Sequence, residues 1–131
     1  NTALVGRCVL DSPTLVKNYF KVHFAGAERE TFVVVFLDSQ MRVIATEELF
    51  AGTLQQTSVY PREVVKRALH HNAGGVIFGH PHPSGQCEPS RADEFLTQTL
   101  KSALSLVDVR VLDHMVVSGS TCTSFAERGL L

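Results

Sequence analysis

Two histidines, His80 and His82, stand one residue apart behind the apolar run Val76-Ile77-Phe78, and Ser90 and Asp93 follow across a turn rich in Gly and Pro. The apolar run reads as a buried strand, and the amphipathic stretch after Ser90 reads as a helix. Alternate side chains of an extended chain share a face, so His80 and His82 leave the strand end on one side, close enough to hold one ion. Counting 100° per residue from Asp93 puts Leu96, Leu100 and Leu104 on its stripe, which turns the carboxylate inward with them. Two neutral imidazoles and one carboxylate, with the fourth position open, make a catalytic type of zinc site, whereas structural sites are closed by four protein ligands.

Each part also has a plainer use. Ser90 with Asp93 three residues on fits a helix N-terminus, with Ser90 as N-cap and Asp93 placing negative charge at the positive end of the dipole. A His-x-His pair by itself is more often incidental than metal-binding. The balance shifts to metal because the pair and the acid occur together on one strand-to-helix turn.

The spacing His80-x-His82 followed by Ser90-x-x-Asp93 matches the zinc motif of the JAMM (MPN-type) metalloproteases. His82-Pro83-Ser84-Gly85 with Pro89-Ser90-x-x-Asp93 resembles the RadC family in particular. Further RadC-like stretches are Phe50-Ala51-Gly52-Thr53-Leu54, Tyr60-Pro61-Arg62-Glu63, Leu112-Asp113-His114 and Ser124-Phe125-Ala126-Glu127-Arg128-Gly129, so the resemblance runs from about Glu30 to the C-terminus. It implies an α/β protein with the MPN (JAB/JAMM) fold, a mixed central sheet flanked by helices, similar in architecture to cytidine deaminases. It implies Zn²⁺ held by His80, His82 and Asp93, and hydrolysis of a peptide or isopeptide amide by a metal-activated water. Pro81 departs from relatives that commonly carry Asn there. Proline fixes φ and removes an N–H, which leaves metal ligation intact but takes away a donor that substrate could use.

Hydrolysis of an amide also needs a proton carrier. Glu28, Glu30, Glu47, Glu48, Glu63 and Glu88 are the acids to weigh. Glu30 precedes the most apolar strand, on the face of Phe32, Val34 and Phe36, where a carboxylate needs a partner; its plainer reading is a strand-end residue turned to solvent. JAMM enzymes carry their catalytic glutamate in a similar setting before the first apolar strand, which ranks Glu30 first. Glu63 looks like a first-turn helix acid and ranks second. The resemblance also makes Ser90 the donor to the oxyanion of a tetrahedral intermediate, a use that competes with N-capping for one hydroxyl.

The elements that position these residues follow from pattern. Ser12-Pro13 opens a helix with Leu15, Val16, Tyr19 and Phe20 on one stripe, ended by Gly26. Thr31 to Leu37 reads as a strand buried on both faces, Asp38-Ser39-Gln40 as a turn, and Met41 to Phe50 as the returning strand. Thr53 to Val59 reads as a further short strand. Pro61 to Asn72 is a helix with Val64, Val65, Ala68 and Leu69 on one arc, and Arg62, Lys66, Arg67 and His70 on an opposite arc that reads as a solvated face. Val109 to Leu112 and Met115 to Val117 read as two strands around Asp113-His114. There His114 is more readily a hydrogen-bonded structural residue than a ligand. His23, His70 and His71 lie on presumed helices without matching partners. Cys122 to Phe125 ends the fold in a strand or turn, with a short Glu127-Arg128 helix after it.

The 131 residues suit one domain, residues 1–131. Asn1 at the start reads as the inside of a longer protein. Hydrophobic residues make up 44% and charged residues 19%, a globular composition, and no apolar run approaches a membrane span. Cys8, Cys87 and Cys122 are far apart, which favours free thiols in a reducing cytoplasm. A deaminase would need His-x-Glu and a Cys-x-x-Cys pair, both absent from the sequence. The RadC resemblance leaves a second functional class, a DNA-repair-associated accessory or interaction domain. Such a domain would reach DNA or repair proteins through an upstream helix-hairpin-helix that this chain does not show. Twelve Lys+Arg against thirteen Asp+Glu give a net charge of -1, so no global field draws nucleic acid to the chain itself.

The charge balance predicts weak, sequence-independent binding of duplex DNA by this chain. A salt titration should find no nanomolar affinity in physiological buffer, and finding one would favour the repair-associated class.

Overall fold

The computed structural model of the chain describes residues 4–10, 14–26, 30–51, 59–82, 88–119 and 121–131. The elements in chain order are α1 (Leu15–His23), β1 (Thr31–Leu37), β2 (Val43–Ala51), α2 (Pro61–His70), β3 (Gly75–Pro81), α3 (Arg91–Ser105), β4 (Arg110–Ser118) and β5 (Thr121–Ser124). The strands form a sheet in the order β2-β1-β3-β4-β5, in which β3 and β4 run parallel and the other neighbours antiparallel. This is the mixed, helix-flanked sheet that the sequence predicts. No helix among the described residues is long and apolar enough to cross a membrane.

Every residue of β1 is buried, as a run of β-branched and aromatic residues demands when helices cover both faces of a sheet. Alternation along the strands divides the core in two. Val33, Val35, Leu37, Ile77, Met115 and Val117 pack with Val16 and Phe20 of α1. Phe32, Val34, Phe36, Val76 and Phe78 pack on the other face with Val64 and Ala68 of α2 and Leu100 and Leu104 of α3. Parallel neighbours need a crossover, and α3 supplies it between β3 and β4. The N-terminus of α3 therefore lies just beyond the C-terminal end of β3. The α1 face fixes that end: a Cβ on Gly79 would lie 2.5 Å from ring atoms of Phe20, so the phenyl ring occupies the space next to His80 that a side chain would need.

Several expectations need correction. β4 is continuous from Arg110 to Ser118, because a register shift opposite Val76 and Ile77 absorbs Leu112 and lets pairing continue through Asp113 and His114. The residues after Ser124 form turns instead of a short helix. Residues 1–11, whose Leu4, Val5, Val9 and Leu10 read as a short strand or arm, form turns over 4–10 with an isolated bridge, Cys8 to Arg42. The Ser12-Pro13 helix start, the Thr53 to Val59 strand up to residue 58, Glu28 and Cys87 lie outside the described residues, and Val59 is not in a strand. On α2, Leu69 is exposed, leaving Val64 and Ala68 as the buried positions.

Arg67 and His71 also differ from their reading as unpartnered surface residues. Arg67 donates from Nε to Glu47 Oε1 at 2.8 Å and from its terminal nitrogen to Oε2, and His71 Nε2 lies 2.9 Å from Oε2. The hydrogen bonds from Arg67 outweigh burial and, with those from His71, pull the Glu47 carboxyl from 4.5 down to about 2. This cluster ties α2 to β2.

Because the folded-state value is depressed, the stabilisation is present above the unfolded value of about 4.5 and is lost as pH falls toward 2. Glu47→Gln should cost about 1.5–3 kcal/mol at pH 7 in denaturant titrations, a range set by hydrogen bonds to a charged group. The gap to wild type should close across that acid window, and a gap independent of pH would contradict the assignment.

Candidate metal centre

Alternation on β3 sends His80 and His82 to the α2/α3 face, beyond Val33–Gly79, the last pair of the β1–β3 ladder. The β4 ladder continues past them, with His80 opposite Val116, Pro81 opposite Val117, and the His82 N–H donating to the Val117 carbonyl at 2.9 Å. Backbone groups of successive strand residues point to opposite neighbours, so the Pro81 nitrogen faces the β1 side, where pairing has already ended. Its missing N–H breaks no ladder bond, which is where a strand tolerates proline.

α3 begins with a capping box. The Asp93 N–H donates to Ser90 Oγ at 3.0 Å, and the Ser90 N–H donates to Asp93 Oδ2 at 2.9 Å. Asp93 thus sits at the third helical position with its carboxylate turned back toward the end of β3. Its Oδ1 lies 3.2 Å from His80 Nε2, its Oδ2 lies 3.1 Å from His82 Nε2, and the two Nε2 atoms are 3.2 Å apart. Burial would push the Asp93 carboxyl up, but the neighbouring His80 and His82 imidazoles, together with the Ser90 N–H, hold it well below the usual carboxylate range.

The donor set suits a metal. The ligand atoms of His80, His82 and Asp93 all lie within 4.8 Å of one another. A tetrahedral zinc with bonds of about 2.0–2.1 Å requires donors about 3.3 Å apart, close to the spacings between these groups. Nitrogen and carboxylate ligands are also the types zinc takes.

Glu30 stands immediately before β1, partly buried at the same end of the sheet. Burial raises its carboxyl above the ordinary value; His80 and His82 oppose that rise and Asp93 adds to it, so Glu30 is within electrostatic reach of the cluster. The other candidate glutamates among the described residues have other partners. Glu47 is held by Arg67 and His71. Glu48 lies 4.0 Å from His23, and Glu63 pairs with Arg62 and Lys66 on α2. Glu88 receives both terminal nitrogens of Arg128, at 3.0 and 2.9 Å.

Beneath the cluster, His80 Nδ1 lies 2.8 Å from Nε2 of the fully buried His114. His114 is boxed by Phe32, Phe78 and Phe125, and Phe125 stacks on it at 4.6 Å between centroids. Burial is the main reason its basicity falls well below the ordinary value. His114 Nδ1 meets Thr97 Oγ1, and the Thr97 hydroxyl donates to the Asp93 carbonyl at 2.8 Å. Sequence reasoning passed over Thr97. The available signal was a hydroxyl residue four positions after Asp93, beside an otherwise leucine-lined stripe. Asp113, next to His114, accepts the Ala126 N–H at 3.0 Å and a hydrogen bond from Ser124, while the Phe125 N–H donates to the His114 carbonyl at 3.0 Å. The Leu112-Asp113-His114 and Ser124 to Gly129 stretches are therefore two sides of one contact.

Comparison with known proteins places this geometry in context. The RadC-like JAB domain family matches residues 10–130. A UPF0758 protein of Variovorax paradoxus (strain S110) is 62% identical over 125 residues, covering 95% of this chain and 56% of that protein. A UPF0758 protein of Nitrosospira multiformis is 64% identical over 122 residues, 93% of this chain and 54% of that protein. One from Acidovorax sp. (strain JS42) is 62% identical over 125 residues, 95% and 52% respectively. The chain spans about half the length of the curated relatives it matches.

Elemental analysis of purified protein is expected to find one zinc per chain, and to find most of it lost in His80→Ala, His82→Ala and Asp93→Ala. Full occupancy in all three variants would remove the metal from these residues.

Proposed function

The chain belongs to the RadC-like JAB domain family, and from that membership we propose that it is a zinc-dependent metallohydrolase of the peptidase or isopeptidase type. The supporting observation is the set of donor spacings, 3.1 to 3.2 Å, among His80, His82 and Asp93. A zinc ion held there supplies Lewis acidity and lowers the pKa of a water to about 7.

The surrounding residues carry the proton and the developing charge. Glu30 is the proton carrier: partial burial raises its carboxyl, so it can accept a proton from the attacking water and release it to the leaving amine. Ser90 is the donor to the oxyanion. Capping was expected to compete with that role, but the cap uses a lone pair of Oγ and leaves the hydroxyl hydrogen to be donated. Losing an oxyanion donor typically costs about 2.7–4 kcal/mol of transition-state stabilisation. The peptide or isopeptide substrate is bound where β3 outruns β1, beside Pro81, a strand edge that offers an approaching backbone no N–H.

Glu30→Gln separates the chemistry from the fold. Zinc content should be kept, while turnover of the best substrate in a peptide and isopeptide panel falls by about 10²–10⁴-fold. A carboxyl whose folded value is raised destabilises the fold above that value, and the effect vanishes below the unfolded value. The melting temperature of Glu30→Gln at neutral pH should therefore be unchanged or higher. Glu63→Gln should leave turnover nearly intact. Wild-type turnover in Glu30→Gln, or its abolition in zinc-loaded Glu63→Gln, would move the proton carrier elsewhere.

A further inference from the structure

His80 presents its two nitrogens to different surroundings. Nε2 faces His82 and Asp93, and Nδ1 lies 2.8 Å from His114 Nε2. His114 Nδ1 in turn meets Thr97 Oγ1, and the Thr97 hydroxyl lies 2.8 Å from the Asp93 backbone carbonyl. A carbonyl oxygen only accepts, so the single hydroxyl hydrogen is committed to it, and the oxygen meets His114 with a lone pair. His114 must then carry its hydrogen on Nδ1. A ring fully buried among Phe32, Phe78 and Phe125 is neutral and has one N–H, so its Nε2 is an acceptor. The hydrogen between the two imidazoles therefore belongs to His80 Nδ1.

We infer that Thr97 and His114 are positioning residues that keep a hydrogen on His80 Nδ1 and thereby reserve Nε2 for a metal. The inference rests on the reading of His80 as a ligand through Nε2. The chain of bonds starts at one ligand and ends on the backbone of another, Asp93, so the direction of every hydrogen in it is set by a group that cannot donate. Without the Thr97 hydroxyl, His114 is free to carry its hydrogen on Nε2 and donate it to His80. His80 then keeps its own hydrogen on Nε2, where a metal must displace it. Partners of this kind, behind a ligating histidine, typically change metal affinity 10–100-fold when lost.

The test uses two readouts besides turnover. Long-range ¹⁵N–¹H correlation spectra of metal-free wild type should show His114 as the Nδ1–H tautomer; an Nε2–H tautomer would overturn the inference. Zinc affinity, measured by competition with a chelator, should fall about 10–100-fold in Thr97→Val and stay close to wild type in Thr97→Ser, which restores the hydroxyl. A folded Thr97→Val that binds zinc as tightly as wild type would also overturn it. If Thr97→Val does not fold, the wild-type tautomer decides the matter. A wild type that takes up no zinc refutes the metal reading and this inference with it, whereas zinc binding together with an Nε2–H His114 refutes the inference alone.

Discussion

The Asp93 carboxylate closes the first turn of α3 by accepting the Ser90 N–H, and the same two oxygens face His80 and His82. A helix N-terminus favours negative charge, and a buried carboxylate requires donors; both demands are met at one residue. The rest of the architecture keeps the two ends in place. Leu100 and Leu104 bury one stripe of α3 and so fix its rotation, while Phe20 packs against Gly79 and fixes the end of β3 from the opposite face. Moving either element would separate the carboxylate from the imidazoles.

Support for the site is built outward in layers. His114 backs His80, three phenyl rings enclose His114, and the turn after β5 holds one of those rings through Asp113. The final contact, Arg128 with Glu88, joins that turn to the approach of α3. Each layer draws on segments later in the chain than His80 and His82, apart from Phe32 and Phe78, which come from β1 and β3.

What could be read from the sequence was what periodicity encodes. The two-residue repeat placed His80 and His82 on one side, the helical repeat aligned Asp93 with Leu96, Leu100 and Leu104, and the apolar run from Thr31 to Leu37 gave β1 with its bounds. The misses are cross-element contacts. Phe78 and His114 are neighbours only through the parallel β3–β4 register, and the bulge that joins the two halves of β4 depends on its partner strand. Arg67 belongs to a basic arc by helical count, but Glu47 reaches it from β2. The rivalry expected between capping and donation at Ser90 treated a hydroxyl as one bonding capacity, although its lone pairs and its hydrogen are separate.

The adjacency of His80 and His82 in the sequence also shapes the balance between folded and unfolded chains. The unfolded chain keeps both imidazoles one residue apart, so a cation can be held there before any sheet exists, whereas the Asp93 carboxylate joins them only once α3 has closed onto β3. Binding to the unfolded state subtracts from the stabilisation a ligand gives the native one. An ion at this site therefore strengthens the fold only by the ratio of its affinities for the finished triad and for the bare histidine pair.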